Sequence, residues 1–149
     1  MVFEPSSDYS DSVRRLFVSF LFFAIAGTVC AGLGDSADRI ENSYGDLAAR
    51  HLRDDGTVVI LYHRGRYLCY VIFDHGVSVS ERYFRYDQAD LSEKEIAKFL
   101  KMNAGKMTWS RDDAFAPAKG RRFERSDRRA EAIVARVKDR LTLTVRVPR

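Results

Sequence analysis

His51, His63 and His75 are the first side chains to test for chemistry, because an imidazole can ligate a metal or move a proton near neutral pH. Their even spacing matches no zinc-ligand pattern, and each falls at the end of an element or in a turn, where a solvated histidine is ordinary. Cys69 lies inside the apolar run YLCYVIF, with His63 and His75 beyond opposite ends, so the run predicts a buried, inert thiol. Asp54, Asp55, Asp74, Asp87, Asp90, Asp112 and Asp113 all sit in predicted turns or loops, where carboxylates commonly bond the backbone. Paired-carboxylate hydrolysis needs two of them facing one cleft, one with a raised pKa, and no spacing shows that pair. Serines occur without a nucleophile-elbow sequence, and Gly27, Gly32 and Gly34 have no lysine after them to make a phosphate loop. The sequence therefore assigns no catalytic, metal or cofactor-binding residue. A small hydrolase using loop His and Asp side chains stays open as an alternative.

The clearest chemical bias is basic. The chain has 25 Lys and Arg against 21 Asp and Glu, a formal charge of +4. Arginines crowd the C-terminal part, with Arg121, Arg122, Arg125 and Arg129 as the candidate partner-binding set. Guanidinium forks suit carboxylates and phosphates, so such a field could meet an acidic protein, an anionic lipid surface or another polyanion. A solvated surface that merely aids solubility is the plain alternative. Export argues against nucleic acid as the polyanion.

Export is read from the N-terminus. Arg14 and Arg15 precede residues 16–33, LFVSFLFFAIAGTVCAGL, which carry no charge and end in small residues. That is the basic, apolar and cleavable order of a secretory signal, with Val29 and Ala31 placing the cut before Gly32. The acidic Glu4, Asp8 and Asp11 ahead of the arginines depart from the usual signal. An uncleaved anchor and lipid attachment through Cys30 remain as alternatives, although Thr28 and Val29 are poor neighbours for a lipid-modified cysteine. Residues 1–31 hold two basic and three acidic side chains, so a domain starting at Gly32 is more basic than the whole. It also keeps only Cys69, which excludes an internal disulfide.

Residues 32–149 make a stretch short enough for one small domain. Ile40, Tyr44, Leu47 and Ala48 recur at helical spacing and predict a helix over 36–52. TVVILY, YLCYVIF and VSVSERYFRY, joined by short glycine-containing turns, predict a three-stranded antiparallel meander. The middle run is apolar on both alternating faces, which places it centrally with side chains packed or partly covered on each side. LSEKEIAKFL predicts a helix over 92–104, capped by Ser92 with Glu95 closing the capping box and Gly105 ending it. Residues 106–120 read as an irregular connection in which Trp109 seals the core. In the tail, Ala130, Ile133, Val134, Val137 and Leu141 fit a helical stripe, yet turn signals at 126–128 and 138–139 fit three strands equally well. Strict alternation over 141–147 secures the last strand.

This order of helix, DDGTVVILYHRGRYLCYVIFDHG meander, LSEKEI helix and strand-rich end resembles the small outer-membrane lipoprotein A family and the β-lactamase-inhibitor-like group, over roughly residues 36–147. The tail FERSDRRAEAIVARVKDRLTLTVRV is also similar to a short meander that follows a helix and a tryptophan linker in small bacterial proteins, which favours strands over 129–137. The resemblance implies an α+β fold: a mostly antiparallel sheet with two helices packed on it and C-terminal strands after the second helix. It implies no catalytic residues and action through surface contacts. The sequence thus leads to an exported, non-enzymatic protein-interaction module of the bacterial envelope, secreted or periplasmic, or anchored through its N-terminal segment. Its expected partner is an acidic envelope protein, with anionic lipid or polyanion binding as the alternative.

Overall fold

A computed structural model of the chain describes residues 31–116, 118 and 120–149. The predicted leader lies outside the described residues except at its end. No helix among the described residues is long and apolar enough to cross a membrane.

Two helices and eight strands run in the order α1 (Ala37–Tyr44), β1 (Asp46–Leu52), β2 (Val58–Arg64), β3 (Tyr67–Asp74), β4 (Val77–Arg85), α2 (Glu93–Met102), β5 (Trp109–Asp112), β6 (Arg121–Arg125), β7 (Glu131–Val137) and β8 (Arg140–Arg146). All strands join one antiparallel sheet of order β1-β2-β3-β4-β8-β7-β6-β5. Each helix is followed by a four-stranded meander, and the last strands of the two meanders pair with each other. The α+β expectation holds in that sense. The expected order of elements does not, because the first meander has four strands and the second helix is followed by another complete meander.

Gly45 accounts for the first difference. Its φ of 90° stops α1 at Tyr44, and a Cβ there would meet the His63 carbonyl oxygen at 2.9 Å, so the chain turns back tightly against β2. Ile40 and Tyr44 face the core as the helical spacing requires. Leu47 and Ala48 belong instead to β1, an exposed edge strand bulged between Leu47 and Ala49. Such a bulge blunts an edge against pairing with other chains.

At the start of α2 the sequence expectation holds in detail, whereas the helix ends at Met102 with Asn103 as its C-cap, two residues before the expected stop at Gly105. The Glu95 N–H donates to Ser92 Oγ at 3.3 Å, and the Ser92 N–H donates to Glu95 Oε2 at 2.7 Å. Tyr67 Oη–H adds a bond to Glu95 Oε1 at 2.8 Å, tying the cap to β3. A Ser92→Ala chain should lose about 1 kcal/mol of stability in denaturant titration, the ordinary cost of a removed cap. Beyond the helix, Trp109 packs on the core and its indole N–H bonds the Leu100 carbonyl at 2.8 Å. It also begins β5, a strand inside the stretch expected to be irregular. The tail forms three strands, with a tight turn at Lys138 and Asp139, both at positive φ. The apolar stripe that fits a helix is split between the faces of β7 and β8.

The register shows which residues share a face. Tyr62, Cys69, Tyr83, Leu143 and Val134 stand in one row across the sheet. All five are buried beneath the helices, together with Ile40, Tyr44, Ile96 and Phe99. The alternate row, Leu61, Tyr70, Arg82, Thr144, Ile133 and Arg122, stands on the other face. No helix covers it.

Candidate functional site

The histidines are dispersed. His51 is on the exposed β1, His63 is half-buried on β2 beside Tyr86, and His75 occupies the β3–β4 turn with its Nδ1 2.7 Å from Asp74 Oδ1. Among the described residues no group of three or more His, Cys, Asp or Glu side chains is placed to hold a metal. Cys69 is buried, and burial pushes its thiol well above the ordinary range, so it stays protonated.

Several of the aspartates do the structural work expected of turn carboxylates. Asp55 accepts from the Thr57 N–H and hydroxyl, Asp87 pairs with Arg85, and Asp90 pairs with Arg136 while accepting the Leu141 N–H. The Arg85 guanidinium holds Asp87 down at about 2. Stability from that pair is present above the unfolded carboxyl value and is lost as pH falls through the folded one.

The four candidate arginines do not form one open patch. Strand alternation sends Arg121 and Arg125 to the helix side and Arg122 to the opposite face. Arg121 donates two bonds of 2.7 Å to Glu93 on α2. Arg125 chelates Asp127 at 2.9 and 3.0 Å and donates to the Asn103 carbonyl at 3.0 Å, closing the end of α2. Arg122 contacts Glu131 at 2.8 Å. Only Arg129 of the four is exposed without an ion pair among the described residues.

A different cationic set stands on the helix-free face. Leu61, Leu68, Tyr70, Ile72 and Phe84 are half-buried there, shielded by their strand neighbours and, among the described residues, by no covering layer. Arg53 donates to Tyr70 Oη at 2.8 Å, Arg82 Nε donates to Thr144 Oγ1 at 3.1 Å, and the Arg140 guanidinium lies 5.1 Å from the Phe84 ring centre. None of these three arginines forms an ion pair among the described residues, whereas Arg146 beside them is paired with Glu131 at 2.6 Å. Tyr70, Arg82, Phe84, Val137, Arg140 and Thr142 line a shallow, largely apolar hollow of about 160 Å³.

No family model, curated protein or solved structure matches this chain. The site therefore rests on geometry: fixed guanidinium donors with unused capacity, each steadied by a neutral or aromatic neighbour, around an apolar hollow.

The sequence carried one signal for this face. YLCYVIF is apolar at both parities, and the expectation of side chains packed or partly covered on each side agrees with the structure: Cys69, Val71 and Phe73 are buried under the helices, while Leu68, Tyr70 and Ile72 are half-buried on the other face.

Proposed function

We propose that this domain is a non-enzymatic protein-interaction module of the bacterial envelope, and that its helix-free sheet face docks an acidic surface of a partner protein. The observation that carries this reading is the set Arg53, Arg82 and Arg140, free of ion pairs among the described residues and placed among the half-buried Tyr70 and Phe84. Aromatic and arginine side chains beside a desolvated hollow are the residues that dominate protein interfaces. The apolar hollow favours a protein over a bare polyanion, because it offers area that only side chains can fill. The leader-like N-terminus supports the envelope as the place of action.

Affinity capture on the full chain from an envelope extract, over a salt series, tests the reading. The expected partner is an acidic protein that is released as salt rises, is lost when Arg82 and Arg140 are both changed to glutamine, and is retained when Arg121 is changed to glutamine. Equal loss with Arg121→Gln would move the site back to the tail cluster. Equal binding of the full chain to protein-free anionic vesicles would point to lipid instead.

A further inference from the structure

Strand β4 carries an unusual buried acid. Glu81 has no exposed surface and lies between Val71 and Val145 in its cross-strand row, with no cation paired to it among the described residues. Its carboxylate is surrounded by hydroxyls. Tyr44 Oη is 2.6 Å from Oε2, Tyr83 Oη also meets Oε2, and Ser78 Oγ is 3.1 Å from Oε1. Two of those hydroxyls serve a second client. Tyr44 Oη is 3.1 Å from the Ala31 carbonyl oxygen, and Ser78 Oγ is 3.2 Å from that of Gly32.

Those carbonyls belong to residues 31–36, a segment laid over the acid. The Leu33 N–H donates to Asn103 Oδ1 at 2.8 Å, the Gly34 N–H to the Ser78 carbonyl at 2.9 Å, and the Ser78 N–H to the Asp35 carbonyl at 2.9 Å. The fit is close: a Cβ at Gly32 would meet Asn103 Oδ1 at 3.0 Å and the Met102 carbonyl oxygen at 3.2 Å.

Proton counting separates two states. Tyr44, Tyr83 and Ser78 own one hydroxyl proton each. When Glu81 is ionised, all three point at the carboxylate, so the Ala31 carbonyl loses the Tyr44 donor and the Gly32 carbonyl keeps only the Asp35 N–H at 3.1 Å. When Glu81 is protonated, its carboxyl donates to Tyr44 across 2.6 Å, which frees the Tyr44 proton for the Ala31 carbonyl, while Tyr83 donates to Glu81 and Ser78 turns to Gly32. We propose that Glu81 is a proton-operated latch, which in its neutral form lets Tyr44 and Ser78 hold residues 31–36 and in its ionised form draws both hydroxyls away and loosens that segment.

The groups facing Glu81 are Tyr44 from α1, Ser78 and Tyr83 on its own strand, Cys69 from β3, Asn103 after α2, and Asp35 from the covering segment, itself bonded to Arg39 at 3.0 Å. Burial raises both phenols and the thiol, so they stay neutral. Burial also raises Glu81 above the ordinary carboxyl value of 4.5; its hydroxyl donors oppose that rise and the Asp35 charge adds to it. A raised folded pKa gives stability that is complete below the unfolded value and lost as pH rises through the folded one. The sign is opposite to that of Asp87, so the two limbs separate by pH.

Amide hydrogen exchange on the full chain at pH 5 and pH 8 reads the latch. After correction for intrinsic rates, protection at Leu33, Gly34 and Ser78 should fall about tenfold or more at pH 8, while core amides such as Val71 hold. Glu81→Gln, uncharged and still a donor, should show no such fall. Tyr44→Phe, which removes the Ala31 donor and keeps the acid, should show weak protection at both pH values, and it decides the matter if Glu81→Gln does not fold. Parent protection that ignores pH, a Glu81→Gln chain that loses protection like the parent, or a Tyr44→Phe chain that keeps full protection at pH 5 would overturn the latch.

Discussion

A Phe99→Ala chain should melt roughly 12–20 °C below the parent, because this ring is the main aromatic contact of α2 with the sheet. Phe99 is buried, stacks on Tyr83 with ring centres 4.3 Å apart and 15° between planes, and meets Tyr67 edge-on at 5.1 Å. Removing a buried phenylalanine costs about 3–5 kcal/mol, part of it the geometry-specific aromatic contribution. In a domain stabilised by about 5–15 kcal/mol that is a large share, and it converts to the stated shift at roughly 4 °C per kcal/mol. The exposed Lys94 on the same helix provides the control: Lys94→Ala should stay within about 0.5 kcal/mol of the parent. Thermal unfolding of both chains by circular dichroism checks the pair. Similar small losses in both would mean that α2 does not seal the core.

The second large effect concerns binding. Reversing Arg82 and Arg140 to glutamate should weaken association with the acidic partner at least 100-fold, since each central interface residue is worth about 2 kcal/mol or more and the new charges repel the partner. The fold should survive. Arg82 is held by one bond to Thr144 and Arg140 by a contact with Phe84 of about 0.5–1 kcal/mol. Titration calorimetry at fixed salt, with melting curves alongside, separates lost binding from lost structure. Unchanged affinity in a folded double variant would contradict the placement of the site.

Physical locality explains how much of the fold and the site was legible in the sequence. The Ser92 and Glu95 cap was readable because both bonds join residues three apart. The hairpins around β3 were readable for the same reason. The helix expected over 36–52 ran too far because Ile40, Tyr44, Leu47 and Ala48 keep helical spacing across Gly45, where a single positive φ ends the helix. Strand β5 was missed because four mostly polar residues become a strand only through pairing with β6, beyond a loop. At the site, arginine abundance was visible but its use was not. Arg121 finds Glu93 and Arg136 finds Asp90 across sequence separations of 28 and 46. Those pairings occupy much of the charge that looked available in the tail and leave Arg53, Arg82 and Arg140 as cations without an ion pair on the open face, among the described residues. Glu81 was hidden because alternation in VSVSERYFR sets it at the parity of Val77 and Val79 without showing that Tyr44, Tyr83, Ser78 and residues 31–36 close around it.

The most direct test of the open-face assignment is a chemical-shift map of the isotope-labelled full chain titrated with the captured acidic partner. The account predicts that the signals of Tyr70, Arg82, Phe84, Arg140 and Thr144 move together at low partner ratios while those of Ala97 and Lys101 on the outer side of α2 stay in place. Shifts confined to α2 or to Arg129, with β3, β4 and β8 unmoved, would contradict it.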